Sequence, residues 1–200
     1  MDITSAMVKE LRAKTGAGMM DCKDALKAGN GDFEKAIDYL RKKGMSAATK
    51  RSSKAAKDGT IASYIHMGGK IGVMVEVNCE TDFVAKTDDF QIMAKDLAMH
   101  VAASNPLYIR PDDISETDME REKEIYRSQL PTEIKPQKIW DKIIDGKMNK
   151  YFEEVCLMNQ KFIKNTDITV GTLVNNMIAK TGENIIIRRF ARFQLGEELK

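Results

Sequence analysis

Residues able to do acid–base chemistry are few in this sequence and stand far apart. The two histidines are His66, at the end of a strand candidate, and His100, within a helical pattern of apolar residues. A catalytic base needs a nucleophile and an orienting acid within hydrogen-bond reach, and the sequence offers no set that can be paired. We therefore predict that the protein is not an enzyme. We also predict that His100 is a buried, hydrogen-bonded residue and not a catalytic one.

The cysteines, acids and glycines do not form a metal or phosphate site. Cys22, Cys79 and Cys156 are odd in number, widely spaced and set in apolar patterns, as reduced and buried thiols are. Asp88-Asp89 is better explained as the acidic first turn of a helix. Gly68-Gly69-Lys70 lacks the spacing and the following Ser or Thr of a phosphate loop. The sequence therefore predicts neither a metal nor a cofactor.

The stretch Thr81-Asp82-Phe83-Val84 is the strongest candidate for contact with another molecule. It follows Ile71–Cys79, where apolar side chains alternate with period two as in a half-buried strand. A helix signal at Asp88-Asp89 follows it, so the stretch is predicted to be a loop between the two. A large aromatic residue at an exposed turn favours contact with a partner. The alternative, which the residues alone leave open, is that Phe83 folds back into the protein's own core.

Three short helices are predicted over residues 1–44. The glycine-containing stretches 16–18 and 29–31 are expected to end the first two helices. Asp32 begins the third helix, and Gly44 is expected to end it. Three helices of this length form a minimal bundle around one small core. The size and spacing are those of a ubiquitin-associated-like domain.

A basic segment follows and is predicted to be a linker over residues 45–58. The wider stretch from Arg41 to Lys57 has seven basic residues and no acid. One interpretation is a basic arm that binds phosphate or RNA, and the other is a solvated hinge made partly helical by its alanines. We favour the hinge.

The remaining residues, 59–200, are predicted to form an α+β core domain. The expected elements are a hairpin that includes Ile71–Cys79, a helix from Asp89 to about Ala103 packed on the sheet, and a helical arm over about residues 112–160. The final strand, 184–193, carries arginines that indicate a bulge or an edge position. The fold class is α+β: the three-helix domain plus an antiparallel sheet packed with helices and a helical arm.

Composition limits the kind of protein this is. The 200 residues are 42% hydrophobic with a net charge of +2, too balanced for the whole molecule to bind nucleic acid by charge alone. No apolar run approaches the roughly 20 residues of a membrane-spanning helix, and the first residues show no signal or transit pattern. We expect a cytoplasmic protein with no membrane partner.

Three stretches, Lys9–Lys23, Val75–Ala85 and Ala98–Ala103, together closely resemble the bacterial elongation factor Ts family. The likeness covers essentially the whole chain, in the compact form without a long internal duplication. It implies a ubiquitin-associated-like domain, an antiparallel α+β core with a helical arm, and the activity of a guanine nucleotide exchange factor for elongation factor Tu. It implies no direct nucleic-acid partner.

The resemblance also implies which residues meet the partner. In the family, the Thr-Asp-Phe-Val loop enters the partner's G domain beside the magnesium site, where the phenylalanine wedges between two helices and favours loss of the metal and then of GDP. The family's N-terminal module rests on the same G domain. The residues that match these contacts by position are Thr81, Asp82, Phe83 and Val84 in the loop, and Arg12, Met19 and Met20 in the module.

The sequence leaves alternatives for the oligomeric state, for the role of the C-terminal arginines and for the function. A homodimer through the C-terminal strand would be non-covalent, because Phe190-Ala191-Arg192 contains no cysteine. Arg188, Arg189 and Arg192 are expected to meet the partner, an opposing subunit or only solvent at a sheet edge. The main rival function is an RNA- or ribosome-binding protein that uses the basic residues 41–57.

Overall fold

The computed structural model describes residues 2–129 and 137–198, which form a mixture of helices and strands. The helices are α1 (Ser5–Thr15), α2 (Met19–Ala28), α3 (Phe33–Arg51), α4 (Asp82–Ala85), α5 (Asp88–Ser104), α6 (Glu116–Ser128), α7 (Gln137–Val155) and α8 (Val170–Thr181), with a 3-10 helix at Pro111–Asp113. The strands are β1 (Asp58–Ile65), β2 (Ile71–Cys79), β3 (Lys161–Phe162), β4 (Asn165–Thr169) and β5 (Ile186–Gln194).

The main sheet has three strands in the order β1-β2-β5, so β2 is central, and β3 and β4 form a separate antiparallel pair. The hairpin between β1 and β2 closes where the His66 N–H donates to the Ile71 carbonyl at 2.9 Å. Strand β5 runs antiparallel to β2, since the Leu195 N–H donates to the Lys70 carbonyl at 2.8 Å. The predicted α+β class with an antiparallel sheet is confirmed.

The N-terminal helices begin where side chains can cap them. Thr4 accepts a hydrogen bond from the Met7 N–H at 3.3 Å, and Asp32 accepts one from the Lys35 N–H at 3.0 Å. Gly16, with φ of 69°, ends α1 in the left-handed conformation that favours glycine. The core of this bundle consists of buried residues from all three helices: Val8, Leu11, Cys22, Ala25, Leu26 and Ala36.

Helix α3 is longer than predicted. It was expected to end at Gly44, but it continues to Arg51, so the first half of the predicted linker 45–58 is helical. Gly44 is buried, and a Cβ placed on it would lie 3.6 Å from the Ala179 Cβ of α8. This glycine therefore lies inside α3, where the helix packs on α8 with a Cβ in ordinary contact distance, and it does not end the helix.

The chain divides into two compact units. The first contains Met1–Ala62, Val75–Lys95 and Thr172–Phe190, and the second contains Ser63–Met74, Asp96–Gly171 and Ala191–Lys200. Each unit is made of three separate ranges, whereas the domains predicted from the sequence are the consecutive ranges 1–44, 45–58 and 59–200. These domain boundaries stay a prediction.

The apolar pattern of α5 is confirmed by its burial. The helix predicted from Asp89 to about Ala103 has apolar residues at intervals of three and four, and these are all at most 3% exposed: Phe90, Met93, Ala94, Leu97, Ala98 and Val101. The predicted cysteine environment is confirmed as well, because all three thiols are free and buried.

Helices α6 and α7 pack against each other within the second unit, as predicted for the helical arm. Lys147 of α7 lies 5.0 Å from the centre of the Tyr126 ring of α6. The Leu157 N–H, just after α7, donates to the carbonyl of Tyr108, ahead of α6, at 2.9 Å. The two helices therefore run antiparallel, and the segment between them, 130–136, lies outside the described residues.

Candidate functional site

The corner segment, Thr81–Val84, lies where the central strand β2 ends. The loop predicted here is wrong in its detail, because Asp82 begins a one-turn helix, α4. Thr81 has extended backbone angles, and its Oγ1 accepts a hydrogen bond from the Val84 N–H at 3.4 Å. The Lys86 N–H then donates to the Asp82 carbonyl at 3.1 Å. A threonine cap therefore turns the end of the strand directly into a helical turn.

The Phe83 side chain lies outside the core. It is 80% exposed, whereas Ala85, two residues later, is 4% exposed and Thr81 and Val84 are half-buried. Of the two interpretations that the sequence left open, the ring folded back into the core is not the one observed. A large aromatic group exposed on a capped turn at the end of a central strand is suited to contact with another protein.

Asp82 pairs with Lys86 across the turn. The Lys86 Nζ lies 2.5 Å from the Asp82 Oδ2, and this hydrogen bond is the main cause that lowers the pKa of Asp82. Both side chains are substantially exposed, so solvent screens the pair and its contribution to stability is small. Asp82 is therefore a charged carboxylate beside Phe83 that another group can reach.

A carboxylate distant in sequence holds the corner segment in place. Glu183 Oε2 accepts hydrogen bonds from the Glu80 N–H at 3.1 Å and the Thr81 N–H at 3.0 Å. Its Oε1 accepts the Thr81 hydroxyl at 2.7 Å. Sequence reasoning did not find Glu183, because nothing in its local pattern shows that it meets a residue 102 positions earlier.

Glu80 makes the reciprocal contact. Its Oε1 accepts a hydrogen bond from the Asn184 N–H at 2.7 Å and lies 3.4 Å from the Arg51 guanidinium at the end of α3. The side-chain amide of Asn184 donates in turn to the Lys54 carbonyl at 2.7 Å. The end of β2, the turn after α8 and the end of α3 are therefore joined by one hydrogen-bond network.

Cys79 precedes this network and is chemically inert. Its thiol is buried and donates to the Thr81 carbonyl at 3.1 Å. Burial, followed by the charge of Glu183, raises the pKa of Cys79 to about 11. The thiol is therefore neutral near pH 7, and the corner segment gains no nucleophile from it.

The predicted N-terminal contacts lie on the three-helix bundle. Met19 and Met20 form the first turn of α2 and are 39% and 66% exposed, and Arg12 is an exposed residue of α1. All three side chains are available to a partner. We call these three residues the N-terminal surface, and over residues 2–129 and 137–198 no hydrogen bond or ion pair joins them to the corner segment.

The C-terminal arginines interact within the chain. Arg189 Nε lies 2.7 Å and Arg188 Nε 3.6 Å from the Glu76 carboxylate of β2, and Arg192 donates to the Ala102 carbonyl at 3.4 Å. Strand β5 is at the edge of the sheet. The edge position predicted from these arginines is therefore confirmed.

His100 is a buried structural residue, as predicted. One ring nitrogen, Nε2, lies 3.0 Å from the Gln160 Oε1, and the other, Nδ1, accepts the Ile163 N–H at 3.3 Å. Nδ1 must therefore be unprotonated, and Nε2 donates to the glutamine. Both hydrogen bonds suit the neutral ring, and burial lowers the pKa of His100.

We expect this histidine to make stability depend on pH. Because the pKa of His100 is lower in the folded than in the unfolded state, the unfolded chain binds more protons as the pH falls below about 6.5. The free energy of unfolding should then decrease by up to about 1.4 kcal/mol per pH unit until the folded-state pKa is passed. Urea unfolding of the wild type and His100→Gln measures this, since the variant should lose the dependence between about pH 7.5 and pH 5.

The exposed histidine supplies the control for that experiment. His66→Gln, measured in parallel, removes the other histidine of the sequence, which lies at the surface beside Tyr64. A His100→Gln variant that loses stability with falling pH as steeply as the wild type would show that other groups cause the dependence.

In the part of the chain that the structure describes, no group of three or more His, Cys, Asp or Glu side chains is placed to hold a metal ion. Within the same residues, no helix is both long enough and apolar enough to cross a bilayer.

Comparison with known proteins gives matches along nearly the full chain. A family model described as Elongation factor TS matches residues 5–197. The chain is 81% identical to the elongation factor Ts of Syntrophus aciditrophicus over 200 residues, which are 100% of each protein. It is 57% identical to that of Desulfosudis oleivorans over 195 residues, 98% of each protein. With that of Geobacter sulfurreducens the identity is 56% over 200 residues, covering 100% of this chain and 93% of the relative.

Proposed function

Since the chain belongs to the elongation factor Ts family of translation elongation factors, we propose that it is a guanine nucleotide exchange factor for elongation factor Tu. It binds the GDP-bound partner, displaces the magnesium ion and promotes release of GDP so that GTP can be loaded. It acts in the cytoplasm, where translation elongation takes place. The observation that carries this proposal is the exposed Phe83 ring on the capped turn at the end of β2.

An exchange factor needs no catalytic side chain of its own. It must bind the nucleotide-free partner more tightly than the GDP-bound partner, and this difference in affinity is the free energy available to weaken GDP binding. We propose that Phe83 supplies the difference by entering an apolar site that is open only when the partner has lost its magnesium. Full burial of a phenylalanine contributes roughly 1.5 to 3 kcal/mol.

Asp82 adds charge at the same place. An aspartate is ionised at neutral pH, and the Lys86 hydrogen bond lowers the pKa of Asp82 further. An anionic group brought beside a bound magnesium ion competes with the partner's own ligands for the metal or for the groups that hold it. Thr81 and Val84 complete the contact by fixing the turn that presents both side chains.

The proposal is tested by the release of a fluorescent GDP analogue from elongation factor Tu in a stopped-flow instrument. We expect the release rate to rise to saturation as the chain is added, and the acceleration to shrink as free magnesium is raised. A release rate that does not change with added chain would overturn the proposal. If the chain instead bound ribosomal RNA with an affinity that fell steeply with salt, the RNA-binding function would replace it.

The N-terminal surface is expected to contribute affinity more than rate. Met20→Ala and Arg12→Ala should each weaken the complex with elongation factor Tu by about 1 kcal/mol, or about fivefold, and leave the maximal release rate nearly unchanged. Titration followed by calorimetry measures the first quantity and saturating stopped-flow measures the second. Met67→Ala is a matched control, because Met67 is 89% exposed in the hairpin turn of the other unit. Wild-type affinity of both variants would contradict the assignment.

A further inference from the structure

We propose that Glu183 is a positioning residue that fixes the direction in which the Phe83 side chain projects from the protein surface. The inference rests on the proposed exchange function and names a residue that acts in it without touching the partner. Glu183 lies in the turn after α8, and its carboxylate accepts three hydrogen bonds from the end of β2.

The Thr81 hydroxyl has a single proton to donate. That proton is donated to Glu183 Oε1 at 2.7 Å, so a lone pair of the same oxygen is free to accept the Val84 N–H. The carboxylate therefore determines how the hydroxyl is oriented. The oriented hydroxyl caps α4, and α4 carries Phe83 as its second residue.

Helix α4 cannot hold this arrangement by itself. It has four residues, and a single turn fixes several backbone dihedral angles for only one or two hydrogen bonds. The Phe83 ring is 80% exposed and provides little packing in return. The buried Ala85 anchors the C-terminal end of the turn, and the cap that Glu183 orients fixes its N-terminal end, next to Phe83.

Glu183 is itself fixed from both sides. Gly182 adopts φ of 73° after α8, and its N–H donates to the Ile178 carbonyl at 2.8 Å, so the chain turns sharply before the glutamate. On the other side, the Asn184 N–H donates to Glu80 at 2.7 Å. The two acids thus each bind the backbone of the other's segment. This reciprocal pairing prevents a rigid shift of the corner segment relative to the end of α8.

The test compares three variants in the fluorescent-GDP release assay. Glu183→Ala should lower the maximal release rate by about tenfold, because a hydrogen-bonded charged group is lost from the cap. Glu183→Gln should fall between this variant and the wild type, because its amide keeps one accepting oxygen. Lys180→Ala is the matched control: it removes the 2.6 Å ion pair from α8 to Asp89 without touching Thr81, and should release GDP at the wild-type rate.

A double-mutant cycle separates positioning from general destabilisation. If Glu183 acts through Phe83, then adding Glu183→Ala to Phe83→Ala should lower the release rate no further. Additive effects, or a wild-type maximal rate for Glu183→Ala alone, would overturn the proposal.

Hydrogen exchange gives a readout that does not depend on elongation factor Tu. The amides of Val84 and Lys86 should exchange about tenfold faster in Glu183→Ala than in the wild type and Lys180→Ala. Unchanged protection would overturn the role of Glu183 whatever the release assay shows. If the wild-type chain failed to accelerate GDP release while these amides lost protection in Glu183→Ala, then the exchange function would be wrong and Glu183 would still hold the turn.

Discussion

Replacing Phe83 by alanine is expected to slow the GDP release that the chain stimulates from elongation factor Tu by about 10- to 100-fold. The substitution removes the side chain that we propose is buried only in the nucleotide-free complex. Burial of the ring is expected to stabilise that complex by roughly 1.5 to 3 kcal/mol and to contribute nothing in the free protein. Loss of this free energy corresponds to the expected range of slower release rates. Stopped-flow release at saturating chain, with the partner loaded with fluorescent GDP, measures it.

The same substitution should leave the fold intact. Because the Phe83 ring is 80% exposed, its loss removes almost no buried surface, and the melting temperature should match that of the wild type. Phe193→Ala is the matched control, since Phe193 is 68% exposed on β5 and lies outside the corner segment. It should release GDP at the wild-type rate. Unchanged release by Phe83→Ala would remove the wedge from the mechanism.

The position of Phe83 could be predicted because the information is local. Alternation in Ile71–Cys79 identifies a strand, and the acids at Asp88-Asp89 identify the next helix, so the residues between them must lie at a sheet end. The strand and the helix follow from neighbours along the chain, whereas the exposure of the Phe83 ring, which the residues alone left open, is seen only in the structure. The helical turn itself was missed, because it depends on one threonine hydroxyl rather than on a repeated pattern.

The network behind the corner segment could not be predicted, because its information is tertiary. Glu183 and Glu80 resemble any surface acids in the sequence, and only the fold places each one on the backbone of the other's segment. The prediction that α3 ends at Gly44 was wrong for the same reason. A glycine inside a helix and a glycine that ends a helix are identical in sequence, and only the packing of α3 on α8 shows that Gly44 is of the first kind.

Gly59→Ala is expected to destabilise the protein by about 3 kcal/mol or more, the largest loss of stability that we predict. Gly59 has φ of 144°, which side chains rarely adopt, and a Cβ there would lie 2.1 Å from the Val77 carbonyl oxygen and 2.7 Å from the Asn78 Cα. Both atoms belong to the backbone of the central strand. They can move only if β1 separates from the part of β2 that leads to Thr81.

A second glycine separates the effect of contact from that of backbone conformation. Gly68 also has a positive φ, of 88°, but a Cβ placed on it meets nothing within 4 Å. Gly68→Ala should therefore cost only the conformational term of about 1 kcal/mol. Urea unfolding of both variants measures the difference, and equal losses of stability would show that the approach to Val77 is not what requires glycine at position 59. If the larger loss is confined to Gly59→Ala, the strand that carries the corner segment is held in place by a contact that no side chain larger than hydrogen permits.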